Sequence, residues 1–235
     1  MNLLNHIVEP QRLLLAWQPP DIQAHPRTRR VVGEVVANAS GELTFRYLQG
    51  TEDYEAAIDA GFKGFPAFRG EAEEFSDSVL NAFIRRLPPR NREDFDDFLA
   101  LHRLPSPFTH SDMALLAYTG AKLPSDGFSL VPDFIKECIP CDFLMEIAGV
   151  RHVFRGDISR ILEIGDPVSF LPDEHNIVDR DAIFVVCRGQ NIGYVNRVMR
   201  ENFNFWLKHY DVVASIERLN GKPDRPLVYI RVGVS

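Results

Sequence analysis

The residues best suited to chemistry lie in one polar stretch, Pro172-Asp173-Glu174-His175-Asn176-Ile177-Val178-Asp179-Arg180, which leads into the run Asp181-Ala182-Ile183-Phe184-Val185-Val186. A carboxylate (Asp179), an amide (Asn176) and an imidazole (His175) therefore sit in a loop pinned by a predicted strand over 181–186. Arg188-Gly189-Gln190-Asn191 follows, and Gly189 supplies the turn freedom for a hairpin into Asn191 to Val195. Short polar groups held by strands in this way can face a ligand while the strands keep them in place.

Other chemistry finds less support. Cys138-Ile139-Pro140-Cys141 is a lone Cys-x-x-Cys with no second Cys or His pair at finger-like spacing, so no metal site is expected. Cys187, inside a predicted strand, reads as a core residue. No serine has a Gly-x-Ser-x-Gly context, and no Gly-rich phosphate loop is present. Glu93-Asp94-Phe95-Asp96-Asp97-Phe98 is acidic, but acids in the first turns of a helix are what its dipole favours. The chain is expected to be non-catalytic and to use no cofactor.

The elements that must position the polar loop come mostly from the C-terminal part. Strands are predicted at 144–153, 168–171, 183–187, 192–195, 212–219 and 227–232, with a helical turn near 158–162. One helix is predicted over 196–210, where Met199, Phe203, Trp206 and Tyr210 recur at helical spacing. Six short strands and a helix fit a partly closed barrel. Its inward positions are expected to be Ile147, Val168, Ile183, Val185, Ile192 and Val195, with Phe203 and Trp206 closing one side.

The first 140 residues read as a small sheet with packed helices. Arg12 to Trp17 is an apolar run, and Val31 to Val36 and Leu43 to Leu48 flank the turn Asn38-Ala39-Ser40-Gly41. Gln18 to Arg30 is polar and proline-punctuated, as in a surface loop. Helices are predicted after Thr51, after Ser76-Asp77-Ser78, after a cap at Asn91, and from Ser111 to Tyr118. The fold class is thus α+β, divided at 1–140 and 143–235.

The ordered pieces of residues 143–235 resemble the HIRAN domain, a small OB-like β-barrel found alone in bacteria and attached to replication-fork remodelling ATPases in eukaryotes. They are Ile147-Ala148-Gly149-Val150-Arg151-His152, Gly165-Asp166-Pro167-Val168-Ser169-Phe170-Leu171, Asn176-Ile177-Val178-Asp179, Ala182-Ile183 and Ile192-Gly193-Tyr194-Val195. The resemblance implies that Arg151 pairs with phosphate through its planar fork, that His152 stacks on a base, and that Arg197 is a further basic contact. It also implies that the Asn176–Asp179 loop closes over the 3′ end of single-stranded DNA. There Asp179 would accept from the terminal hydroxyl, a donor that an internal phosphodiester lacks. DNA-binding relatives carry a tyrosine just before this aspartate; here the residue is Val178, with His175 as the available substitute. An Asx-turn, in which Asn176 and Asp179 bond their own backbone, stands beside this reading and is compatible with it. For Arg200 and Lys208 a solvated helix face is expected.

Leu43-Thr44-Phe45-Arg46-Tyr47, the turn Gly64-Phe65-Pro66-Ala67-Phe68 and the helix ending in Arg85-Arg86-Leu87-Pro88 resemble the N-terminal lobe of HipA-type kinases. The kinase body has no counterpart, so phosphotransfer is not implied.

Charge limits the mode of any nucleic-acid contact. The chain carries −7 overall, and residues 142–235 hold 12 Lys+Arg against 13 Asp+Glu. A protein gripping long duplex through many phosphates should be basic. One that holds a few terminal nucleotides need not be. The alternative is a protein-interaction module whose acidic N-terminal part binds a partner. No run reaches the ~18 apolar residues of a membrane span. The N-terminus lacks a basic segment, and three cysteines fit a reducing compartment, so a cytoplasmic location without membrane contact is expected.

Overall fold

The computed structural model describes residues 3–20, 28–38, 40–70, 72–123, 125–153, 157–176, 179–222 and 225–235. The chain divides into two compact units, Glu9–Phe134 and Met1–Val8 with Ile135–Ser235. Most of the expected loop over Gln18 to Arg30, and Ile177 and Val178 of the polar loop, lie outside the described residues.

In Glu9–Phe134, strands β1 (Arg12–Trp17), β2 (Arg30–Ala37) and β3 (Leu43–Tyr47) are followed by helices α1 (Glu52–Asp59), α2 (Val79–Ile84), α3 (Phe95–Leu101) and α4 (Asp112–Thr119), then β4 (Phe128–Pro132). The antiparallel sheet runs β3-β2-β1-β4. The caps expected at Thr51 and Ser111 are present: each hydroxyl accepts an N–H from the first turn, of Tyr54 and Ala114 respectively. The expected cap at Asn91 is not. Turns closed by Arg92 N–H to Pro89 C=O and Phe95 N–H to Arg92 C=O hold the chain out of helix until Asp94. Strand β4 is absent from the sequence reading, because a five-residue run ending in proline gives little periodicity.

Aromatic rings make the centre of this unit. Phe45 stacks on Phe68 at 4.6 Å and Phe65 meets Phe83 at 4.8 Å. The Tyr47 hydroxyl accepts from Phe65 N–H and donates to Phe68 C=O, both at 2.7 Å, which fixes the Phe-Pro turn. Burial of that phenol raises its pKa. Arg86, at the end of α2, is buried rather than offered to solvent. Its guanidinium takes Asp126 bidentately at 2.7 and 2.8 Å and donates through Nε to Ala121 C=O at 2.7 Å.

The other unit contains β5 (Cys141–Glu146), the single helical turn α5 (Val150–Val153), β6 (Pro167–Pro172), β7 (Ile183–Cys187), β8 (Gln190–Tyr194), α6 (Arg200–His209), β9 (Val212–Lys222) and β10 (Arg225–Val234). The sheet order is β5-β10-β9-β6-β7-β8, all antiparallel. One further bridge curls it into a partial barrel: Ala148, just past β5, exchanges two 2.8 Å backbone hydrogen bonds with Tyr194 at the end of β8. The expected strand over 144–153 therefore stops at Glu146. Gly149 turns the chain with φ +73°, and His152 N–H bonds Gly149 C=O to start α5.

All six expected inward positions are buried, and Phe203 and Trp206 are fully so. Phe203 packs on Phe170 at 4.8 Å and Trp206 on Phe143 at 5.8 Å, and the Trp206 indole donates to Lys136 C=O at 2.9 Å. The start of the chain joins this unit through Asp142, which accepts from Asn5 N–H at 3.0 Å and Arg231 at 3.2 Å. Burial of the Asp142 carboxyl opposes its charge, but these donors outweigh it and hold its pKa below the usual range.

Three outcomes follow for stability. Trp206→Ala should lower unfolding free energy by roughly 3–5 kcal/mol in urea titrations, through the cavity and the orphaned Lys136 carbonyl. Arg86→Ala should cost about 3 kcal/mol in the same assay by stranding Asp126. Because the folded pKa of Asp142 is depressed, its contribution is present above the unfolded carboxylate value and lost as pH falls through the folded one. Asp142→Asn should therefore flatten the acid limb of the stability–pH curve.

Candidate nucleic-acid interface

Tyr194 is the residue at which the candidate segments meet. Its backbone makes the bridge to Ala148, its hydroxyl donates to Asp173 Oδ2 at 3.3 Å, and its ring lies 5.1 Å from that of Phe184. A Cβ on Gly149 would stand 3.3 Å from the Tyr194 ring, so glycine there lets the 149–152 turn lie against its edge. Close approach is enforced more strictly at Gly193. Its φ is +144°, and a Cβ would fall 2.5 Å from the Ala148 carbonyl oxygen.

Arg151 and His152 lie on α5, both exposed, with Arg151 Nε donating to His152 Nε2 at 3.3 Å.

The polar loop is organised by Asp173, which is buried though carboxylate. Besides Tyr194, it accepts from the Asn176 amide at 3.0 Å and from the His175 N–H at 3.3 Å. Asn176 Oδ1 in turn accepts from Asp179 N–H at 2.9 Å, and Asp179 Oδ1 from Asp181 N–H at 3.2 Å. The Asx-turn reading of Asn176 and Asp179 thus describes the loop as it stands. His175 is exposed. Val178, the departure from the related pattern, lies outside the described residues.

Arg197 is half-buried at the start of the turn leading into α6, where Asn196 caps the chain by accepting from Val198 N–H at 3.2 Å. Arg200 corrects the expectation of a solvated helix face. It is half-buried, and its guanidinium is ion-paired with Asp179 Oδ1. Lys208 is exposed, as expected.

The sequence reading thus gave no site role to Asp173 or Tyr194, and it set Arg200 on a solvated helix face. Asp173 had a signal, being an acid at the end of an alternating strand, where the next outward position after Leu171 falls. Tyr194 had its place in the piece Ile192-Gly193-Tyr194-Val195, and Arg200 its charge on the predicted last helix, but neither showed its partner.

Cys138 is exposed, whereas burial pushes the Cys141 thiol up to about 12 and also raises that of Cys187. No group of three or more metal-ligating side chains occurs among the described residues, and no described helix is long and apolar enough to cross a membrane.

No protein-family model matches the chain, and no curated protein matches it. Among solved structures, the chain is similar to the HIRAN domain of human HLTF, with a TM-score of 0.32 and 14% identity over 40% of this chain and 74% of that one. It is also similar to a Lactobacillus plantarum protein, with a TM-score of 0.30 and 20% identity over 38% of this chain and 91% of that one.

The Tyr194 phenol has a raised pKa, first through burial and then through the Asp173 charge. Asp173→Asn should move its ionisation part of the way back toward the ordinary tyrosine value, read as ultraviolet absorbance against pH. Because the folded pKa is the higher one, this contact supports the fold below the ordinary tyrosine pKa, and that support is lost as pH rises through the folded value.

Proposed function

We propose that the chain is a non-catalytic DNA-binding protein that holds single-stranded DNA at a 3′-hydroxyl end through its C-terminal barrel. The observation that carries this reading is the junction at Tyr194, which ties the Arg151–His152 turn to the Asp173–Asp179 loop. In this reading Arg151 and Arg197 hold phosphates, His152 stacks a base, and His175 lines the loop mouth. Arg200 orients Asp179 toward the terminal hydroxyl. Both described contacts of Asp179 engage Oδ1, and a carboxylate has a second oxygen with which to accept.

The Glu9–Phe134 unit is read as a HipA-lobe-like scaffold without phosphotransfer. Its Arg86 supports that role, since the guanidinium is engaged by Asp126 and Ala121 inside the unit.

A second reading rests on the same aspartate. Asp179 is already satisfied by Arg200 and Asp181 N–H, as a purely structural loop requires. On that view the barrel has lost its DNA pocket and the acidic N-terminal part binds a protein partner.

Fluorescence titration with short strands bearing 3′-OH or 3′-phosphate ends, and with circular strands, separates the two. End recognition predicts preference for 3′-OH, with a shallow salt slope near −0.7 per neutralised phosphate. Asp179→Ala should weaken 3′-OH ends far more than internal sites, and Arg151→Ala should weaken both. Equal affinity for circular and linear strands refutes end recognition. No binding to any strand favours the protein-interaction reading.

A further inference from the structure

The outer face of β6, β7 and β8 carries an apolar row beside the loop. Cross-strand register places Leu171 opposite Phe184 and Phe184 opposite Tyr194. All three point away from the barrel interior, because their strand neighbours Phe170, Ile183, Val185 and Val195 are buried. Leu171 is 52% exposed, and Phe184 and Tyr194 are half-buried with rings inclined at 38°. The next row on this face, Ser169, Val186 and Asn191, contains no charge.

A strip without charge does not attract phosphate, but it suits the π-face of a base. From Tyr194 to Leu171 is two strand spacings, about 9.5 Å, and a nucleic-acid strand advances about 3.4 Å per nucleotide when stacked. The row therefore has room for two or three bases. Its continuity with the loop identifies the occupant: Tyr194 belongs to both, with its ring on Phe184 and its hydroxyl on Asp173.

We propose that Leu171 and Phe184 extend the site into a track for the nucleotides that precede the 3′ end, with Phe184 stacking the second base. This rests on the end-binding reading above. Stacking on such a row tolerates any base, so the track adds affinity without sequence preference.

The test is a fluorescence-anisotropy cycle with 3′-OH hexathymidylate, intact or abasic at the second position, against the full-length protein and Phe184→Leu. Leucine keeps apolar volume at a half-buried site, so folding is retained while the ring is lost. Phe184→Leu should lose about tenfold in affinity for the intact strand. The wild type should lose a similar factor on the abasic strand, and the variant should lose nothing more there. An unchanged affinity in Phe184→Leu overturns the track and leaves end binding standing, as would happen if this face docked a protein. An equal loss on both strands also overturns it. A wild type that binds neither strand overturns the end-binding reading itself.

Discussion

The closing contact of the barrel is a backbone exchange between Ala148 and Tyr194, and the candidate interface depends on it. Six strands in the order β5-β10-β9-β6-β7-β8 leave β5 and β8 as edges, and open edges are liabilities. The two hydrogen bonds at 2.8 Å bring those edges together at one point. They can form only because residue 193 has no side chain, since any Cβ would collide with the Ala148 carbonyl. The same geometry sets the phenol of Tyr194 against Asp173 and places the turn carrying Arg151 and His152 at its ring edge. Closure and site are thus one construction. The helix α6 completes it from the other side, because Phe203 and Trp206 fill the barrel while Arg200, one turn earlier, reaches the loop.

Much of this was legible in the residues. Alternation over Ile183–Cys187 and the glycine-bearing turn at Arg188-Gly189 specify the β7–β8 hairpin, and the spacing of Met199, Phe203 and Trp206 specifies the buried face of α6. The polar loop was placed correctly because short polar residues ahead of an apolar run leave little choice but a loop. What escaped were facts of tertiary pairing. A strand ending at Glu146 rather than 153 looks the same in hydrophobicity, since Val150 and Val153 serve a helical turn as readily as a strand. The burial of Asp173 and the pairing of Arg200 with Asp179 join residues 21 positions apart or more, beyond any local pattern. Arg86 shows the same limit in the other unit. Its place at a helix end reads as a dipole contact, whereas its partner Asp126 lies 40 residues on.

Charge then decides what kind of nucleic-acid contact such a barrel can make. Residues 142–235 hold 12 basic residues against 13 acidic ones, and several of the cations are engaged by carboxylates. Arg188 is paired with Asp166 and Glu163, Arg231 with Asp142, and Arg200 with Asp179. Counterion release from many phosphates, the usual source of affinity for long strands, is therefore small. On the proposed reading, binding would draw instead on features that only a strand end or an unstacked base presents: a terminal hydroxyl for a carboxylate, and a flat apolar face for Tyr194 and Phe184. Those interactions are short-range and weakly screened. On that reading an acidic chain would bind a DNA end while being repelled from the interior of the polymer, and the net charge would be part of the selectivity rather than an objection to it.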